Sequence, residues 1–290
     1  MLEGLSQLVS ASKPSKTCLV IVGSVHGNEP AGRVAMEKVA ELSTSGAWKI
    51  DGDVYGLIGN PRAVEKGERF VEENLNRAFG RAENPNSYEA KRAEEIAQWF
   101  KELAAEHSEM YLLDLHSVSM GETRIAIYNA ENAKALEWCK KISPLPFFLG
   151  ETEDVLPGTV ITAFEKLGGV GLAIECGNHS SATGATVGLE HIENALTSLG
   201  MLGEHETSFR GKVAYEGAPR TYTLTSTIKP HAGFAWDLPV ASELFVAKGT
   251  QFAHDNTGAH VAQEDAYIIM PSKIPQPEDF DAGFLARKDA

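Results

Sequence analysis

Three short apolar runs, each ending in a side chain able to bind a metal or move a proton, constrain this chain more than any other feature. CLVIVGSV ends at His26 with Glu29 close behind, MYLLDL ends at His116, and VGLAI ends at Glu175. Runs this short and this apolar fit strands covered on both faces, as in sheets flanked by helices. They predict strands at 18–25, 110–115 and 170–174, and further strands are expected at 54–58 and 123–128. Between them the apolar spacing becomes helical. Over 87–107, Ala93, Ile96, Ala97, Phe100, Leu103 and Ala104 recur at steps of three and four. Residues 29–42, 132–142, 159–167 and 185–202 read as further helices. Strands alternating with helices predict an α/β domain over 1–202. After 203 the helical periodicity stops, and short strands are expected at 211–215, 220–229, 241–246 and 261–270. That texture predicts a small β-rich C-terminal domain over 203–290, its Pro- and Asp-rich tail from 271 wrapping the surface.

In an open α/β sheet, ligands bind beyond the carboxyl ends of the strands, so three such endings point to one crevice. Two imidazoles and one carboxylate, with a position left for water, form a catalytic zinc arrangement. His26 and Glu29 are close enough to reach one ion from a tight turn, and Pro30 suits a helix start. Asp114, two residues before His116, points the same way along a strand and is placed to orient a ligand imidazole. Each residue alone also has an ordinary reading: His26 as a turn cap, Glu29 as a helix-start carboxylate, His116 as a satisfied buried histidine. Their convergence with Glu175 favours the metal site. A thiol hydrolase using Cys176 and His179 is a weaker alternative, because strand neighbours face opposite ways.

The three cysteines, Cys18, Cys139 and Cys176, have no paired spacing, which argues against a disulfide framework or a thiolate zinc cage. A net charge of −14 opposes nucleic acid or an anionic membrane as partner. No apolar run approaches the roughly 20 residues of a membrane span. The first residues lack a basic start and a long apolar stretch, so a cytoplasmic protein is expected. The same negative charge means that any anionic substrate needs local arginines, which act at contact while the mean field is screened.

VHGNEPAG at 25–32, GNPRAVEKGERFVEENLNRAFG at 59–80, DLHS at 114–117 and IECG at 174–177 together resemble the succinylglutamate desuccinylase/aspartoacylase family, relatives of the zinc carboxypeptidases. The resemblance implies a carboxypeptidase-like α/β domain, a mixed sheet with helices on both faces, followed by a small β domain. It implies one zinc ion per chain, held by His26, Glu29 and His116, with Glu175 as general base and then acid. It further implies Arg69 beside the metal, Asn76 and Arg77 gripping a substrate carboxylate, and Tyr267 contacting substrate from VAQEDAYIIMP. The substrate so implied is a small acidic N-acyl amino acid. Arg69 and Arg77 also have a plainer reading, as partners of Glu68, Glu72 and Glu73 on a solvated loop.

One departure bears on specificity. The aspartoacylases carry an arginine about ten residues before the catalytic glutamate, where this chain reads TAFEKLGG. Lys166, Arg124 and Arg62 are the candidate replacements. The missing arginine counts against N-acetylaspartate and leaves N-succinylglutamate or another N-acyl amino acid open. A peptide carboxypeptidase and a non-catalytic binding module on the same fold are the rival readings.

Overall fold

The computed structural model describes residues 2–119, 121–272, 275 and 281–289. Its first strands are β1 (Leu5–Val9), β2 (Thr17–Gly23), β3 (Asp53–Ile58), β4 (Glu109–Val118), β5 (Arg124–Asn129), β6 (Phe147–Glu151) and β7 (Val170–Asn178). After residue 203 come β8 (Arg220–Ile228), β9 (Ala235–Trp236), β10 (Leu244–Val246), β11 (Gln251–Asp255), β12 (Gly258–Val261), β13 (Ala266–Ile269) and β14 (Gly283–Lys288). The helices are α1 (Ala31–Thr44), α2 (Pro61–Lys66), α3 (Leu75–Ala78), α4 (Tyr88–Glu106), α5 (Ala133–Ile142), α6 (Val160–Glu165) and α7 (Gly184–Ser198).

Side-chain alternation along β2 sets up the layers. Leu19 and Ile21 enter one core with Met36 and Val39 of α1, Trp138 and Ile142 of α5, and Ile192 and Leu196 of α7. Cys18, Val20 and Val22 enter the other core with Ile96, Phe100 and Leu103 of α4 and Val160 and Phe164 of α6. Successive strand residues point to opposite faces, so a continuous apolar run fills both layers at once. This is the mixed sheet with helices on both faces that the family resemblance implied.

An 11-stranded sheet runs β1-β3-β2-β4-β7-β5-β6-β8-β14-β13-β10. Its centre, β3-β2-β4-β7, is parallel, whereas β8, β14, β13 and β10 pair antiparallel. Strands β9, β11 and β12 form a separate three-stranded sheet. A third apolar cluster, including Ile228, Val246, Phe252, Ala262 and Ile268, belongs to the chain after 203. Several sequence expectations need correction. Residues 211–215 form turns and bends rather than a strand, and β1 and β6 were not foreseen. The tail read as wrapping the surface supplies β14, which pairs with β8 and β13 inside the large sheet. Residues 273–274 and 276–280 of that tail lie outside the described residues. Among the described residues, no helix is long and apolar enough to cross a membrane.

Candidate metal centre and active site

The parallel strands deliver their carboxyl ends to a cavity of about 1280 Å³. At the end of β2, Ser24 adopts a left-handed φ of 52°, uncommon for a residue other than glycine, and turns the chain toward His26. Its hydroxyl donates to Glu29 O at 3.0 Å, and Glu29 N–H donates to His26 O at 3.1 Å, closing the turn before α1. Gly27 has no room for a side chain, since a Cβ there would lie 2.2 Å from the carbonyl carbon of Ala63. Gly27 N–H instead donates to Arg69 O at 3.1 Å, tying this turn to the loop that carries the arginines.

That loop is fixed from beneath. Glu89, in the first turn of α4, is fully buried. Its carboxylate accepts N–H groups from Val71 at 2.6 Å, Glu72 at 3.1 Å and Glu73 at 3.3 Å, and the Asn60 side-chain amide at 3.0 Å. A carboxylate with this many donors is a strong anchor, because charge-assisted hydrogen bonds are about twice as strong as neutral ones.

His26, Glu29 and His116 come together, with one ligand atom from each lying within 4.8 Å of the others. His26 Nδ1 is 2.8 Å from Glu29 Oε1, and His116 Nδ1 is 2.9 Å from Glu29 Oε2. The far nitrogens are held in turn: His26 Nε2 lies 3.0 Å from Asn74 Oδ1, and His116 Nε2 lies 2.6 Å from Asp114 Oδ2. Asp114 thus occupies the orienting position that strand alternation suggested, while Asn74 is a partner the sequence reading missed. Each imidazole is turned by its outer partner so that Nδ1 faces the common centre, as in metal-bound histidines. Two imidazoles and a carboxylate, all buried, match the donor chemistry of a catalytic zinc site.

The charges reinforce this geometry. Burial, aided by the Arg69 guanidinium, lowers the pKa of His26 to about 4. Burial works against the charged form of Glu29, but His26 and His116 overcome it and hold its pKa well below the usual range. Burial likewise opposes the charged form of His116, yet Asp114 and Glu29 prevail and hold its pKa well above the usual value. The Nδ1 proton of His116 must therefore leave before that nitrogen can ligate a cation.

Glu175 pairs in register with His116 across β4 and β7, and paired residues on neighbouring strands project to the same side. Its Oε2 is buried and has no hydrogen-bond partner among the described residues. Burial raises its pKa to about 7. Cys176 points into the helix-covered core, where burial pushes its thiol pKa up, and His179 bonds instead to Ser117, with Nδ1 2.8 Å from Oγ. The thiol reading is therefore set aside.

Arg69 donates to Glu29 Oε1 at 3.0 Å. Arg77 lines the cavity with its guanidinium 3.5 Å from Asp281, and burial lowers its pKa against the pull of Asp281 and Glu151. Asn76 is turned aside from the cavity lining, its Oδ1 accepting Val160 N–H at 2.9 Å. Tyr267 also lies off the cavity, packed against Tyr222 at 5.1 Å and Phe245 at 5.4 Å between ring centroids. The same segment brings Met270 and Pro271 to the wall instead. None of the candidate replacement cations reaches the site. Lys166 bonds Glu153 at 2.7 Å, Arg124 bonds Thr183 at 3.0 Å, and Arg62 sits 4.5 Å from the centre of the Tyr88 ring. Among the described residues, the lysines and arginines lining the cavity are Arg69, Arg77, Arg81 and Lys229.

Residues 15–199 match the family model described as the succinylglutamate desuccinylase/aspartoacylase catalytic domain. The chain belongs to this family. A succinylglutamate desuccinylase of Pseudomonas putida (strain GB-1) is 27% identical over 267 residues, covering 88% of this chain and 78% of the relative. The structure of succinylglutamate desuccinylase from Vibrio cholerae superposes with a TM-score of 0.75 at 17% identity, covering 96% of this chain and 83% of that one. Murine aminoacylase 3 gives a TM-score of 0.66 at 17% identity, with 96% and 97% covered. At these identities the two structures establish the shared fold alone.

Proposed function

We propose that the chain is a zinc-dependent deacylase that hydrolyses the amide bond of a small acidic N-acyl amino acid. The observation that carries this reading is the meeting of His26, Glu29 and His116, with Glu175 in register beside His116 and its buried Oε2 without a partner among the described residues, next to a cavity lined by His26, Glu29 and Glu175. The names of the family relatives support the same reaction class. An amide resists hydrolysis because water is a weak nucleophile and an amine a poor leaving group. His26, Glu29 and His116 would hold a zinc ion, which would supply Lewis acidity able to bring the pKa of water to about 7 and to polarise a carbonyl.

The protein's own groups do the rest. Glu175 takes the proton of the attacking water and returns it to the departing nitrogen, a role worth about 10²–10⁴-fold. A carboxylate with its pKa pushed up to about 7 suits both directions near neutral pH. Arg69 donates to the oxygen on which negative charge develops, and losing one such donor costs about 3–4 kcal/mol. Arg77, whose Nη1 donates to Asn76 O at 2.6 Å and whose Nη2 lies 3.5 Å from Asp281, would exchange such partners for a substrate carboxylate that its planar guanidinium matches. Asn76, its Oδ1 already taken by Val160, has only its Nδ2 to add. Described residues after 203, at 229–231, 240–242 and 270–272, build part of the cavity wall and would narrow the approach of a polypeptide tail. That wall favours a deacylase over a peptide carboxypeptidase, and the complete ligand set favours an enzyme over a binding module.

The test is a panel of N-acetyl, N-succinyl and N-formyl amino acids, assayed for free amine with zinc-loaded, chelated and zinc-restored protein. Release that stops on chelation and returns with zinc is expected. Turnover that survives chelation, or cleavage confined to peptides, overturns the reading.

A further inference from the structure

One imidazole on the cavity wall takes no part in the metal group. His179 follows β7, and its backbone N–H donates to Val118 O at 3.0 Å, just past a register shift between β4 and β7. Its Nδ1 lies 2.8 Å from Ser117 Oγ. Ser117 is itself fixed, because its backbone N–H donates to Glu29 Oε2 at 3.1 Å. The ring is thus held in place through the same carboxylate that organises the metal group.

Burial of the partner hydroxyl favours one tautomer of this ring. Ser117 is 3% exposed, and its hydroxyl has no second partner among the described residues. A buried hydroxyl must place its proton on an acceptor, and the acceptor at hand is the Nδ1 lone pair. The proton of the neutral ring then sits on Nε2, which has no partner among the described residues. Burial is the main reason the ring's pKa lies below its usual value, which favours its uncharged form. His179 therefore presents a fixed, uncharged N–H donor to the cavity.

We propose that His179 is a specificity-determining residue whose Nε2–H donates a hydrogen bond to an acceptor oxygen on the substrate's acyl chain. The inference rests on the deacylase reading. In that reading the scissile amide lies beside His26, Glu29 and His116, and Arg77 marks the side taken by the amino-acid carboxylate. Arg69 lies near enough to both Arg77 and His179 to shift the pKa of each. On this proposal, a substrate with its carboxylate at Arg77 and its amide at the metal group has its acyl chain on the His179 side of the cavity, which Arg77 and His179 both line. An acyl chain ending in a carboxylate or amide oxygen satisfies the donor. A plain alkyl chain leaves it desolvated and unpaired, which is how a polar site rejects an analogue lacking its partner.

The test uses the zinc-loaded full chain and a matched pair, the N-succinyl and N-pentanoyl derivatives of one amino acid, similar in length but differing in the terminal acceptor. His179→Phe is expected to lower kcat/KM for the succinyl substrate by about 10- to 100-fold while the pentanoyl substrate changes less than about threefold. His179→Gln, which keeps an N–H donor at similar reach, should recover most of the loss. Equal losses on both substrates, or none on either, would overturn the proposal. A second readout does not depend on turnover. Long-range ¹H–¹⁵N NMR of histidine-labelled protein should show His179 protonated at Nε2, with that proton shifting on addition of succinate. A proton on Nδ1, or no response to succinate, also overturns it. Wild-type protein that cleaves neither this pair nor any member of the N-acyl panel would sink the deacylase reading, and the NMR result would still decide the role of His179.

Discussion

The parallel centre and the antiparallel end of the large sheet are built differently and take different parts in the site. At the parallel centre, β2, β4 and β7 are largely buried on both faces, with His26 three residues past β2 and His116 and Glu175 near the carboxyl ends of β4 and β7. At the antiparallel end, β8, β14, β13 and β10 carry mixed buried and exposed positions and supply wall residues such as Lys229 and Met270. Parallel strands need crossover connections, so their carboxyl ends share one edge and gather side chains there. Antiparallel strands alternate direction and cannot concentrate chemistry in that way. On the proposed mechanism, the first region breaks the bond and the second fits the substrate.

The strongest way to break this comparison is Glu175→Gln. It should lower kcat by about 10²–10⁴-fold with zinc content unchanged, measured by steady-state kinetics and metal analysis. A small effect would remove the chemistry from the parallel centre. Next comes Asp114→Ala, which frees His116 Nε2 and should weaken zinc binding by about 10- to 100-fold in a chelator competition. The comparison sharpens with a pair of cation removals. Arg77→Ala should raise KM for carboxylate-bearing substrates by about 10-fold or more. Lys229→Ala, on the antiparallel wall and exposed, should change KM by no more than about fivefold. Equal effects would erase the distinction between site and wall.

The smallest effect concerns stability. Burial raises the pKa of Glu151, at the end of β6, from 4.5 to about 8, although Arg77 pulls it down. The folded state thus favours its neutral form. The sign follows: the native state binds the extra proton, so stability is lost as pH rises through this range and is lowest above it. Glu151→Gln should flatten the decline in Tm between about pH 5 and 8 and raise Tm by roughly 3 °C at the upper end.

The same contrast governs what could be read from the sequence. The central strands were legible because burial on both faces leaves an unbroken apolar run. Strand β1 was not, since an edge strand half open to solvent reads as LSQLV, and β6 was obscured by Pro144 and Pro146 just before it. Asp114 was legible because its partner lies two residues away on the same strand. Asn74 and Glu89 were not, because the groups they hold are brought near only by folding. Residues 211–215 carry strand-like side chains, yet Gly211 N–H and the Tyr215 hydroxyl both bind the Glu190 carboxylate, which fixes a turn instead. Tyr267 was placed by the likeness of a short segment. The aromatic packing of β13 against Tyr222 and Phe245, invisible in that likeness, turns it away.

The pairing of His116 with Glu175 has a consequence for how such an enzyme can change. Adjacent strands sit about 4.8 Å apart wherever they occur, so the sheet works as a ruler between cation ligand and proton acceptor. Loops at the rim can lengthen, shorten or swap residues, and the separation that hydrolysis depends on stays where backbone hydrogen bonding put it. An insertion of one residue within β7 is another matter. It would swing the carboxylate to the far side of the sheet and, on the proposed mechanism, end turnover.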